Sequence, residues 1–293
     1  MILDHVERFR NMTSSDFELI VCDDGSTDGT VEALRETGTT VITGPNRGVA
    51  WNKNRGLLYL NLFCSCDYVV LLDDDVYPNV DGWDLEWIAA CERLGHVTAI
   101  PDKGWLFGGA CTPESPGFSP YTFGNCLAFR RDVLASVGYF DPRFGKYGHE
   151  HTELTIRCIR AGYGGIKLNN SAGQHPCLTN GVNICFYVID GGIGMATAPS
   201  NCNNESLMAN ASLLYELINE KIYRPGWLTD EDFFALRSEV TAARQLPPPS
   251  LSVIENFSPE EYLQANLDVF EAGVDPLAHY IHYGIAENRK LRP

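Results

Sequence analysis

The chain has 293 residues, 44% of them hydrophobic and 20% charged, enough to bury a sizeable core in one large domain or two smaller ones. Its formal net charge of −16 repels phosphate backbones, so no nucleic-acid partner is expected. The sequence has no apolar run of about 18 residues, and MILDHVERFRNM lacks the apolar centre of a signal peptide. No membrane span is therefore expected, and the location expected is cytoplasmic. The ten cysteines are scattered without a CxxC pair, which reads as reduced thiols rather than a zinc site or a disulfide frame.

Ile2, Leu3, Val6, Phe9 and Met12 recur at helical spacing and predict an opening amphipathic helix. FELIVCDD (17–24) is a short apolar run ending in acids, the pattern of a buried strand whose C-terminal end faces a ligand. A GSTDGT turn leads into the helix TVEALRET, and TTVITG (39–44) is the next strand. NRGVAWNKNRGLLYLNLF (46–63) predicts a helix, and DYVVLLDDDVYP (67–78) a third strand that again ends in acids. HVTAIP (96–101) reads as a strand, 103–123 as a Gly/Pro-rich loop region, and 125–141 as a strand running into a helix. EHTELTIRCIRAGY (150–163) predicts a helix, GGIKLNN (164–170) a strand, and 206–222 a further helix; the spacing in 176–204 assigns no element. This alternation predicts an α/β layer fold with a mostly parallel sheet flanked by helices.

QLPPPSLSV (245–253) is a polyproline-type spacer. The expected organisation is a main domain over 1–225, a linker over 226–250 with that Pro-rich end, and a small all-helical accessory module over 251–293. The module is too small to be very stable alone and is expected to dock on something.

Asp23-Asp24 and Asp73-Asp74-Asp75 end two strands on the same side of the predicted sheet, where open α/β sheets bind ligands. Carboxylates this close repel one another unless a positive group lies among them, and a divalent cation carrying a diphosphate suits the place. Solvated loop acids are the plainer alternative.

LIVCDDGSTDGT, GPNRGVAWNKNRGL and VVLLDDDVYP, followed by FGNCLAFRRDVLASVGYFDPRF and GHEHTELTIRCIRAGY, together resemble a family 2 glycosyltransferase of the GT-A fold over roughly residues 1–175. The resemblance implies a nucleotide-sugar donor, a UDP-sugar by preference, an Mn²⁺ or Mg²⁺ ion, and inverting transfer to a glycan or other hydroxyl acceptor in bacterial polysaccharide synthesis. It implies that Asp24 contacts the uracil. Asp73 and Asp75 match the DxD motif, with Asp75 as metal ligand, Asp73 at the ribose or the metal's water shell, and Asp74 beside them. Lys53 and Asn54 match a pair near the nucleotide, and His175 a further metal or diphosphate ligand. A surface-exposed Lys53 and a loop His175 are the plain alternatives.

In GHEHTELTIR the family's general base is an aspartate at the position of His151, next to Glu150. Imidazole is a competent base at neutral pH, and Glu150 is its rival. The alternative is a helix cap at Glu150 and an exposed Glu153–Arg157 pair worth about 0.3–0.5 kcal/mol. Trp105 and Phe107 are candidates to stack on sugar rings.

Family members open on a strand of the type VSIIIPTYNR, which has no counterpart in this sequence. Without it the strand ending in Asp23-Asp24 is expected to keep an unpaired edge. A second functional reading follows, an inactive remnant that binds glycan or protein. The C-terminal segment resembles a short helical repeat found at the ends of some bacterial glycosyltransferases, with peripheral membrane or protein association as its expected use.

Overall fold

The computed structural model describes residues 1–100, 103–167, 178–179, 182–196, 204–244, 257–271, 276–280, 284 and 289–293. The chain opens with α1 (Ile2–Met12), then β1 (Ile20–Asp23), α2 (Thr30–Glu36), β2 (Thr40–Thr43), α3 (Val49–Phe63), β3 (Tyr68–Leu72) and β4 (Val76–Pro78). It continues with α4 (Trp83–Leu94), β5 (His96–Ala99), β6 (Gly117–Ser119), β7 (Cys126–Arg130), α5 (Arg131–Val137), α6 (Glu150–Arg160) and β8 (Gly165–Lys167). β9 (Leu178–Thr179), β10 (Val182–Ile189), β11 (Ile193–Met195), α7 (Asn204–Leu217) and α8 (Asp230–Ala242) follow. Among the described residues three short helices come after these: α9 (Pro259–Ala265), α10 (Leu267–Glu271) and α11 (Pro276–His279).

The main sheet runs β3-β7-β5-β10-β6, with β8 and β9 also pairing on β10. β5 and β10 are parallel, whereas β7 runs antiparallel between β3 and β5. β7 is covered on both faces and both edges, so Cys126, Leu127, Ala128 and Phe129 are all fully buried. That explains why its sequence is continuously apolar instead of alternating. α4 follows the helical pattern of Trp83, Trp87, Ala90 and Cys91, which it buries against β5, β7 and Phe9 of α1. Burial of side chains of this size is worth about 1.5–3 kcal/mol each.

β1 and β2 form a separate parallel pair, held by α1 through Val6 and by α2 through Val31 and Leu34. Among the described residues, nothing pairs with the second edge of β1 or of β3. α1 bridges the break, since its Val6 belongs to one buried cluster and its Phe9 to the other, and Leu19 packs against both clusters.

The stretch 226–250, expected as a linker, contains α8. Phe233, Leu236 and Val240 are buried, and the helix packs on α3 and β2. Its mixed sequence DEDFFALRSEVTA hides a helix whose polar residues are also in use. The 176–204 region supplies β10, which pairs with four other strands, and β11, which pairs with β4.

Candidate functional site

β1 and β3 both deliver their acids to one end of the fold. Asp23 is buried and accepts from its own turn, from Gly25 N at 3.0 Å and Ser26 N at 3.1 Å, and from Thr43 Oγ1 at the end of β2 at 2.6 Å. Burial would raise its carboxyl, but the hydrogen bonds from Ser26, Thr43 and Gly25 outweigh it and hold Asp23 below the usual range. Asp24 ties β1 to the start of α3: Oδ1 accepts from Arg47 N and Arg55 Nη1, and Oδ2 from Gly48 N.

Arg55 is completely buried and holds this corner together. It donates to Asp24, to the carbonyls of Asp23 and Pro45, and to Glu239 Oε2 on α8 at 2.9 Å. Glu239 also accepts from Trp51 Nε1. Asn54 is fully buried as well. Its Oδ1 accepts from Phe140 N, and its Nδ2 donates to the carbonyls of Phe140 and Gly226. The amide is thus committed to the backbone below the site.

Asp73, Asp74 and Asp75 form the turn from β3 to β4. Lys53 reaches across from α3, its Nζ 2.8 Å from Asp73 Oδ1 and 2.6 Å from the carbonyl of Gly124. Asp74 is exposed, and its carbonyl lies 2.9 Å from His5 Nδ1. Burial, then the charges of Asp73 and Asp74, push the Asp75 carboxyl above its usual range. Among the described residues its buried Oδ1 has no hydrogen-bond partner, and neither has the buried Oδ1 of Asn125. Asn125 turns its Nδ2 toward the weak acceptor Met195 Sδ, and its carbonyl accepts from Asp73 N. Two orphaned acceptor oxygens beside an acidic turn are costly without a donor or a cation. Among the described residues no three His, Cys, Asp or Glu side chains converge on one point.

The loop 145–149 leads into α6 along the start of α3, where Val49 N donates to the carbonyl of Lys146. His149 adopts φ 66°, a conformation usually left to glycine. Glu150 is buried: Oε2 accepts from Gly148 N at 2.8 Å, and Oε1 lies 3.1 Å from Nδ1 of His151. Burial favours a protonated Glu150, but the hydrogen bond and charge of His151, then Lys53, bring its pKa down to about 2. The His151 ring lies against Gly124, where a Cβ would come within 2.7 Å of Nδ1. Gly124 therefore joins the two halves of the site, with its carbonyl on Lys53 and its α-carbon under the imidazole.

Glu153 and Arg157 are each only 1% exposed, unlike the exposed pair considered from sequence. Arg157 also donates to the carbonyls of Val137 and Tyr139, so the pair anchors α6 to the end of α5. His175 lies outside the described residues, as does the side chain of Trp105. Asn125 and His5 were not singled out from sequence. The Gly-Asn step before an apolar strand was the available signal for Asn125, and His5 lies on a helix face that reads as ordinary core.

Residues 1–104 match the model of Glycosyl transferase family 2. No curated protein sequence matches the chain. Among solved structures, GalNAc-T7 with UDP, GalNAc and Mn²⁺ is similar at 14% identity and a TM-score of 0.52, over 92% of this chain and 55% of that one. This chain thus spans about half the length of that relative, and the likeness shows the fold. The mannosyltransferase PcManGT from Pyrobaculum calidifontis, in complex with GDP-Man and Mn²⁺, aligns over 97% of this chain and 80% of its own at 16% identity. Its TM-score of 0.49 is too low to add to the fold assignment.

Proposed function

We propose that this chain, which carries a family 2 glycosyltransferase region on a GT-A fold, is a metal-dependent inverting glycosyltransferase. Its donor in this reading is a nucleotide-sugar, a UDP-sugar by preference, and its acceptor a hydroxyl of a glycan in bacterial polysaccharide synthesis. The observation that carries the reading is the buried, unpartnered Oδ1 of Asp75, with the orphaned Oδ1 of Asn125 in the same site.

The side chains fit a hard divalent cation, which takes oxygen ligands and is commonly held by one or two carboxylates together with substrate phosphates. Asp75 and Asp73 would hold Mn²⁺ or Mg²⁺, and His175 would be a further donor. The ion, when bound, would neutralise the departing diphosphate. Lys53 adds a second positive charge on that side, while Asp24 and Asp74 border the nucleotide. Asn54 acts indirectly, by fixing the backbone of Phe140. Glu150 and His151 stand on the acceptor side, where a proton must leave the attacking hydroxyl. No described helix is long and apolar enough to cross a membrane, and peripheral association through the C-terminal helices, in the cytoplasm, accords with this reading.

The test is transfer from a panel of UDP-sugars with and without Mn²⁺. Asp75→Ala is expected to lower kcat at least about 100-fold, in line with loss of a charge-stabilising group, and to weaken Mn²⁺-dependent UDP binding in calorimetry. Wild-type activity in this variant would remove the metal assignment. The unpaired edge of β1 favours one second reading, a non-catalytic module that binds glycan or protein. No UDP binding in the presence of Mn²⁺ would favour that module.

A further inference from the structure

We infer that Glu150 and His151 form a carboxylate–imidazole dyad in which His151 takes the acceptor proton and Glu150 only positions it. This rests on the glycosyltransferase reading above and divides the labour that it leaves shared.

The geometry separates the two roles. The Glu150 side chain is 4% exposed, and both of its oxygens are engaged, one by Gly148 N and one by Nδ1 of His151. An ionised carboxylate only accepts, so the proton between them belongs to Nδ1, and the lone pair of the neutral ring is left on Nε2. The His151 side chain is 19% exposed, open enough to meet an acceptor and to return a proton to solvent. Neighbouring residues on one helix rarely face each other. They do so here because Glu150 is the first residue of α6 and folds back onto the N–H of Gly148.

The surroundings favour the same division. Among the described residues, Lys53 from α3 and His149 from the preceding loop also act on the pair. A carboxylate held in its ionised form by these partners is a weak proton acceptor, whereas imidazole is matched to neutral pH. Gly124 lets the ring lie flush against the turn that carries Asn125, and Lys53 ties that turn to Asp73.

In the step itself, the acceptor O–H proton passes to Nε2 of His151. The oxygen lone pair forms the new bond to the anomeric carbon. The bond from that carbon to the diphosphate oxygen breaks, and its electron pair leaves with the nucleoside diphosphate. Glu150 then faces an imidazolium, which its negative charge stabilises.

The test uses the full chain. In ¹⁵N-histidine NMR, with His151 assigned by the signals lost in His151→Asn, neutral His151 is expected as the Nδ1–H tautomer, and the Nε2–H tautomer would overturn the dyad. His151→Asn is expected to lower kcat by roughly 10²–10⁴-fold, the usual worth of a general base, with UDP and Mn²⁺ affinity unchanged in calorimetry. Glu150→Gln is expected to lower kcat less than His151→Asn, with KM for the donor unchanged, and Glu150→Asp to recover part of the loss. A folded Glu150→Gln that is the slower of the two would make Glu150 the base and reverse the assignment. A wild-type chain that binds no UDP overturns the glycosyltransferase reading and the dyad's role with it. Binding and transfer with the wrong tautomer overturn the dyad alone.

Discussion

His96 sits inside the sheet, its ring stacked on Phe129 at 4.2 Å. Its Nδ1 lies 2.8 Å from the carbonyl of Ala128, and its Nε2 lies 3.1 Å from Thr155 Oγ1 on α6. The carbonyl can only accept, so Nδ1 carries the proton and Nε2 accepts from the hydroxyl. Burial lowers its pKa from 6.5 to about 4, against a smaller opposing effect of the Ala128 hydrogen bond. Between those values the unfolded chain binds a proton that the folded chain does not. Stability therefore rises with pH across that window, and it falls as the pH drops from 6.5 toward 4. The loss amounts to about 3 kcal/mol at the low end. Thermal melts from pH 7.5 to 4 are expected to fall more steeply for wild type than for His96→Gln, and equal slopes would contradict the assignment. Little of this was legible beforehand. HVTAIP reads as a strand, but whether its histidine faces solvent or core depends on α6 and β7, which come later in the chain. The same holds for Glu153 and Arg157, whose spacing was evident and whose burial was not.

Among the elements, the strands that end in acids were the easiest to read, because an apolar run stopping abruptly at carboxylates marks where a buried strand emerges. α8 was the hardest. Its sequence is acidic at the start, mixed afterwards and close to the Pro-rich spacer, and its worth lies in one residue facing a distant partner. Glu239 supplies Arg55 with a carboxylate inside the protein, and Trp51 with an acceptor. Glu239→Ala is expected to cost about 3–5 kcal/mol, the range for breaking a buried ion pair from one side. Urea unfolding measures it, and a loss below about 1 kcal/mol, the worth of an exposed pair, would mean that water reaches Arg55. Asn54 teaches a related lesson. The family resemblance set it near the nucleotide, yet only the fold reveals that Phe140 and Gly226 claim its amide.

At the scale of the whole molecule, the sheet is divided between β1·β2 and the larger set that begins at β3. The family resemblance anticipated an unpaired edge at this place, while helix and strand periodicity alone did not. A β7 strand paired on both sides should protect its amides far better than β1, which pairs on one. Hydrogen exchange followed by mass spectrometry or NMR is expected to be at least about 100-fold faster for the outward amides of β1, as local opening there needs less free energy than global unfolding. Protection equal to that of β7 would mean that another segment pairs with β1.

The bond between Arg55 and Glu239 spans 184 positions of the chain. During synthesis the N-terminal strands leave the ribosome first, with Arg55 and Asp24 already among them. Their corner stays short of a carboxylate until α8 has been made. A chain released early, even one retaining every acid of the β1 and β3 turns and the whole of α6, would carry those residues without the ion pair that holds Arg55. Arg55 thus gains its second carboxylate only once the chain has been made past Glu239 of α8.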